Sequence, residues 1–247
     1  RSRWYTKAVF VLVIMIGTAS IIYQRVNDAI DAEIATQVSK LMGVYGVKIH
    51  YRYDPESFFP KGYSTPPASA KGSQISLRHA RNLLPIIEQF LSTYPRELVK
   101  KNLSDIYLVG KLEFYGKSYG GTYIGPAIYI RTKGTLIWYD DWSLLGTIHS
   151  EFSSILFRNY KFPIEQWEAV NPPGWKYEGT GFEMLGRSDL YELPEQLFRD
   201  GFLEKYSQSS VENDFNMFVD WLFARPSYLR ELSLKYERIR KKYQLVL

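Results

Sequence analysis

Cysteine is missing from the whole 247-residue chain. Its absence excludes disulfides, thiolate metal sites and a lipid-modified cysteine anchor. Histidine is scarce, with only His50, His79 and His149. No two of them stand four residues apart, so the pair of imidazoles that grips a metal from one helix face is lacking. Internal repeats are absent as well. The glycine-rich stretch Tyr115-Gly116-Lys117-Ser118-Tyr119-Gly120-Gly121 lacks the spacing of a phosphate-binding loop and has no helix following it. It reads as a structural hairpin. Lys and Arg number 31 against 26 Asp and Glu, for a net charge of +5, and the two signs are interspersed. The densest basic run, Arg238-Ile239-Arg240-Lys241-Lys242, suits a solvated helix end, so no nucleic-acid partner is expected.

What is present begins with the N-terminus. Arg1, Arg3 and Lys7 precede an apolar run over 8–23, with Trp4 and Tyr5 placed as an interfacial belt. The span approaches the roughly 20 residues that a bilayer-crossing helix needs. A cleavable leader would share the basic start, and Thr18-Ala19-Ser20 could serve as its small-residue site. The segment is read as an uncleaved single-pass anchor, with residues 4–26 in the lipid bilayer of a bacterial inner membrane and the following domain periplasmic. The expected layout is an N-terminal segment with its transmembrane helix over 1–26, a helical stalk over 27–46 ended by Gly43, and an extracytoplasmic domain over 47–247.

In that domain, alternation over 47–53 predicts a strand, and residues 54–73 form a long irregular loop with four prolines. Residues 75–93 carry the spacing of an amphipathic helix around Pro85. Strands are expected at 106–110, 112–114 and 123–131. Helices are expected at 142–159, 194–205, 211–224 and 226–243, with an aromatic-rich excursion over 160–193 between the first two. The pattern is α+β, with strands in the first half and a mainly helical C-terminal half. Aromatics make up 16% of the chain. Tyr63, Tyr115, Tyr119, Trp138, Tyr139, Trp142, Trp167, Trp175 and Tyr177 fall in loops or at element edges, where they suggest contact surfaces.

The chemistry-bearing stretch is Thr147-Ile148-His149-Ser150-Glu151-Phe152-Ser153-Ser154-Ile155-Leu156. It is similar to the H-E-x-x-H helix of zinc peptidases, with Ser150 and Ser154 at the two histidine positions and the glutamate kept as Glu151. Further motifs follow the same order: Leu84-Pro85-Ile86-Ile87-Glu88 with Tyr94-Pro95, Gly120-Gly121-Thr122-Tyr123 leading to Ile128-Tyr129-Ile130, Asn171-Pro172-Pro173-Gly174, and residues 209–223. Together they resemble the bacterial zinc-binding metallopeptidases of the zincin class, and more distantly the anthrax lethal factor catalytic domain. The resemblance covers nearly everything after Val47. It implies a zincin-like α+β domain, with Glu151 as general base and Tyr206 as oxyanion donor.

Seven residues after Tyr206, where the family carries its third ligand, a glutamate, this chain has Asn213. A serine hydroxyl is a poor zinc ligand, so three ligand positions have departed from the family pattern. His149 and Glu212 are the remaining weak metal candidates, but His149 lies about 100° round the helix from the ligand position. Glu151 is expected to hydrogen-bond with Ser154 or Tyr206. No Ser-His-Asp set offers a nucleophile. The reading is a membrane-anchored, non-catalytic metallopeptidase-like domain, without cofactor, acting as an accessory or scaffold subunit among integral membrane protein partners. The alternative is an active membrane-anchored zinc peptidase with atypical ligands.

Overall fold

A computed structural model describes residues 2–132, 141–179, 181–184 and 193–247, with the side chains of 2–14 and 141–142 outside that description. The architecture is mixed α+β and mostly helical. In chain order the elements are α1 (Ser2–Tyr45), β1 (Lys48–His50), β2 (Lys71–Ser73), α2 (Leu77–Thr93), α3 (Arg96–Asn102), β3 (Asp105–Val109), β4 (Lys111–Phe114), β5 (Lys117–Ser118), β6 (Gly121–Ile124) and β7 (Ala127–Arg131). They continue with α4 (Asp141–Asn159), α5 (Ile164–Glu168), α6 (Gly181–Met184), α7 (Glu195–Asp200), a 3-10 turn (Lys205–Gln208), α8 (Val211–Ala224), α9 (Pro226–Lys235) and α10 (Glu237–Val246).

The expected anchor and stalk form one continuous helix, α1. It runs past Gly43 and ends at Tyr45, because Gly46 is the residue with a left-handed φ of 74° and its N–H bonds back to the Met42 carbonyl. Its second half does not stand off in solvent as a stalk. Ile30, Ile34, Leu41 and Tyr45 are buried in the main core with Leu84, Ile87 and Leu91 of α2. Lys40 pairs with Glu88 at 3.0 Å, and Arg52 pairs with Asp31. Among the described residues no helix is long and apolar enough to cross a membrane. The first part of the expected span, 4–14, lies where side chains are outside the description. In the described remainder, Met15, Ile16, Ile21, Ile22, Tyr23 and Val26 are all exposed.

The four-stranded sheet has the order β1-β3-β7-β6, with β6 antiparallel at the edge. The strand expected over 123–131 is thus a hairpin, since Gly125 takes a φ of 58° and turns the chain. His50, Tyr107 and Tyr129 occupy one register row across β1, β3 and β7. Their rings stack at 4.3 and 4.5 Å, which ties three strands from one face. The glycine-rich stretch is the hairpin expected, with Tyr115 and Gly116 both at positive φ between β4 and β5.

α2 starts at Ser76, whose hydroxyl accepts from the His79 N–H at 3.3 Å. The single helix expected over 226–243 is two, broken at Tyr236. That residue is extended (φ −119°, ψ 119°), with its ring buried against Phe198 and its hydroxyl donating to Glu195 at 3.0 Å. Trp167, expected at a contact surface, is fully buried in the C-terminal helical core. Trp138 and Tyr139 lie outside the described residues, as does the side chain of Trp142.

Candidate functional site

Two helices frame the candidate site. α4 buries Leu145, Ile148, Phe152 and Ile155, an i, i+3, i+4 spacing, against the sheet and α2. α8 lies along its other side, and the two helices come close at Gly146. A Cβ there would sit 2.8 Å from the Asp220 carboxylate and 2.9 Å from the Ala224 methyl. The start of α8 is set by Ser210, whose hydroxyl accepts from the Asn213 N–H at 3.1 Å.

Glu151 leaves α4 toward the edge strand. It and Thr147 lie over Gly121 of β6, where a Cβ would come 3.0 Å from Glu151 Oε1 and 2.8 Å from Thr147 Cγ2. Burial pushes its carboxyl up to about 8, helped by the negative charges of Glu212 and Asp220. Glu212 is engaged on both oxygens: the Tyr123 hydroxyl donates to Oε1 at 2.9 Å, and Arg158 stands 3.7 Å from Oε2. The Arg158 guanidinium also lies 5.0 Å from the centre of the Tyr123 ring. Burial, reinforced by Glu204 and opposed by Arg225, raises Asp220 to about 7. Asp220 had no motif to mark it in the sequence; only the helix pairing at Gly146 brings it in.

Two of the three departed ligand positions, Ser154 and Asn213, are taken up with other work. Ser154 Oγ accepts from Asn216 Nδ2 at 2.6 Å, and Asn216 Oδ1 accepts from Ser153 Oγ at 2.7 Å, all three side chains being buried. Ser153 Oγ also lies 2.7 Å from the Ser150 carbonyl oxygen, so its one proton is shared between the two acceptors. Asn213 Nδ2 donates to Ser209 Oγ at 2.8 Å, and Ser209 in turn donates to the Tyr206 carbonyl. Tyr206 and Asn213 meet over Gly181, where an added Cβ would collide with the Tyr206 hydroxyl and lie 2.7 Å from Asn213 Nδ2. The hydrogen bond expected from Glu151 to Ser154 or Tyr206 is not formed among the described residues. Glu151 packs on β6 instead, and Ser154 turns to Asn216.

His149 is not on this face. Two residues from Glu151, it lies about 200° away round the helix. Its Nδ1 is 2.8 Å from the Tyr94 hydroxyl, its ring stacks on Phe223 at 3.4 Å, and burial drives its pKa down to about 3. His50 is paired with Asp105 at 2.7 Å, and His79 caps the first turn of α2 with Ser76. Asp214, a neighbour of Asn213 in sequence, lies about 100° further round α8. It is fully buried against Lys242 at 2.6 Å, with Trp167 and Tyr177 donating to the same oxygen.

A zinc ion does not fit these donors. Two hydroxyls and an amide stand at the ligand positions, two of the three are committed to internal hydrogen bonds, and the imidazole is on the far side of α4. Among the described residues no three His, Asp or Glu side chains gather as a metal-holding group. What the site does present is a set of carboxyls, Glu151 and Asp220, whose pKa values burial raises to about 8 and about 7, beside the Glu212–Arg158 pair.

The family model described as "Putative zinc-binding metallo-peptidase" matches residues 27–228. Among solved structures, a crystal structure described as a putative zinc-binding metallo-peptidase from Bacteroides caccae is similar in fold, with a TM-score of 0.57 at 14% identity. The match covers 87% of this chain and 83% of that one. No curated protein matches the chain. The family match starts within α1, at the point where that helix begins to contribute to the core.

Proposed function

Because the chain belongs to the putative zinc-binding metallo-peptidase family while its ligand positions carry hydroxyl and amide groups, we propose that it is a non-catalytic member. In this reading the domain is a scaffold or accessory subunit held at the bacterial inner membrane by the N-terminal part of α1, with the domain periplasmic. The observation that carries the proposal is Asn216. Its side chain spans Ser153 and Ser154 at 2.7 and 2.6 Å, so a buried amide bridges α4 to α8 where the family resemblance implies a metal ligand. Glu151, raised to about 8, carries a proton at neutral pH and is a poor base for activating water. The exposed apolar residues between Met15 and Val26 support the membrane-anchored part of the reading.

Elemental analysis of the purified full chain tests it. The expected result is well under 0.1 zinc per chain, with Glu151→Gln leaving assembly unchanged. One zinc per chain, lost in Glu212→Ala, would establish the alternative reading of an active peptidase with atypical ligands, which the nearness of Glu151 and Glu212 keeps in play. Gentle detergent extraction should bring integral membrane proteins down with the chain. A lone monodisperse monomer would overturn the scaffold reading without touching the question of metal.

A further inference from the structure

Away from the α4–α8 carboxyls, at the C-terminal end of α4, an apolar pocket of about 280 Å³ opens to the surface. Leu98 of α3, Leu156 and Phe157 of α4 and Phe215 of α8 form its interior, and Phe162 and Pro163 close one side. The phenyl rings hold one another in place: Phe157 is 4.8 Å from Phe162, and Phe162 is 4.7 Å from Phe215. Tyr160 and Lys161 stand at the mouth. Tyr160 is oriented by Asn102, whose Nδ2 donates to its hydroxyl at 3.0 Å, and Asn102 is fixed in turn by Asn159 at 2.9 Å.

One cation lines this opening and a second stands beside its Tyr160. Lys161 is exposed, and the Lys101 ammonium lies 5.2 Å from the centre of the Tyr160 ring. Neither has an acidic partner among the described residues, and no Asp or Glu lines the pocket. A cavity whose walls are hydrocarbon and whose rim is positive selects a ligand that is apolar at one end and anionic at the other. The volume lies just under the range of about 300–1,000 Å³ usual for small-molecule sites, which favours a compact acid. The lining offers almost no hydrogen-bonding groups, so an entering peptide backbone would leave its amides unpaired, a cost that a hydrocarbon or aryl tail does not incur.

We propose that the pocket lined by Leu98, Leu156, Phe157, Phe162 and Phe215 binds a small carboxylate with a compact apolar tail, the tail among the phenyl rings and the carboxylate between Lys101 and Lys161. The site is independent of the Glu151 cleft and stands whether or not that cleft is catalytic.

Calorimetric titration of the full chain in lipid nanodiscs, with empty nanodiscs as the blank, tests the assignment with three probes: phenylbutyrate, phenylbutylamine and the blocked dipeptide acetyl-aspartyl-phenylalanine amide. Phenylbutyrate is expected to bind saturably. Phenylbutylamine, with the same tail and the opposite charge, should bind at least about tenfold more weakly. Lys161→Glu, at an exposed position, should weaken phenylbutyrate about tenfold by exchanging an attraction for a repulsion. Leu98→Trp, which fills the pocket without altering its charge, should abolish saturation. Equal binding of acid and amine, an unchanged affinity in Lys161→Glu, or no saturable binding of phenylbutyrate would each overturn the proposal. Tighter binding of the blocked dipeptide than of phenylbutyrate would also overturn it, by showing a surface built for a partner's acidic segment.

Discussion

His149 and Glu151 stand two residues apart on α4 and respond to pH in opposite senses. Burial lowers His149 from its ordinary 6.5 to about 3. Above pH 6.5 the imidazole is neutral in folded and unfolded chains alike. As pH falls below 6.5 the unfolded chain takes up a proton that the folded chain refuses, so stability is lost on acidification. Replacing it by phenylalanine keeps the stack on Phe223, and His149→Phe is expected to lose less stability between pH 6.5 and 4 than the parent, as followed by urea titration at each pH. Glu151 is raised from 4.5 to about 8 by burial and by Glu212 and Asp220. Its folded-state proton stabilises fully below pH 4.5, and the contribution declines as pH rises through 8. Glu151→Gln removes that dependence. Its advantage over the parent should be absent at pH 4.5 and reach on the order of 1–3 kcal/mol at pH 9, a range that allows for the partial exposure of the carboxyl. Equal melting-temperature differences at the two pH values would show that Glu151 titrates alike in the folded and unfolded chains.

At the scale of elements, a buried ion pair and a close helix contact help to hold the described part of the C-terminal half. Lys242 of α10 reaches Asp214 of α8 at 2.6 Å, with both side chains fully buried and the ammonium 4.1 Å from the centre of the Phe202 ring. Breaking such a pair from one side strands a buried charge. Lys242→Met is therefore expected to cost about 3–5 kcal/mol, and adding Asp214→Leu should recover most of it, in urea denaturation of the single and double variants. The pairing of α4 with α8 depends on the missing side chain of Gly146. Gly146→Ala would push a methyl to 2.8 Å from Asp220 and is expected to cost about 1–3 kcal/mol despite alanine's better helix propensity. Helix content and the amphipathic face of α2 were readable from residue spacing. The break at Tyr236 was not, because a local pattern cannot report that the ring is wanted by Phe198 and the hydroxyl by Glu195.

Across the whole molecule, α1 has two parts with different surroundings. Residues from Ile30 onward are part of the core, while those from Met15 to Val26 are exposed although mostly apolar. Removing residues 1–26 is expected to leave a cooperatively folding domain with an unchanged melting temperature. Removing 1–46 deletes Ile30, Ile34, Leu41 and Tyr45 from the core, and the product should be aggregated or lack near-ultraviolet circular dichroism. Cooperative unfolding of the shorter fragment would show that the helix is an appendage after all. The family match beginning at residue 27 agrees with the first division.

Residue spacing indicates the α+β class, and the order of the motifs carries the resemblance to zinc peptidases, which in turn implies imidazoles where Ser150 and Ser154 stand. Spacing and motif order leave open where a side chain turns once its helix is packed. The burial of His149, the separation of Asp214 from Asn213, the recruitment of Asp220 and the amide of Asn216 joining Ser153 and Ser154 all depend on α8 lying against α4. Those partners are about 60 residues apart in the chain, beyond the reach of any helical period, and only close packing at Gly146 puts them within hydrogen-bonding distance.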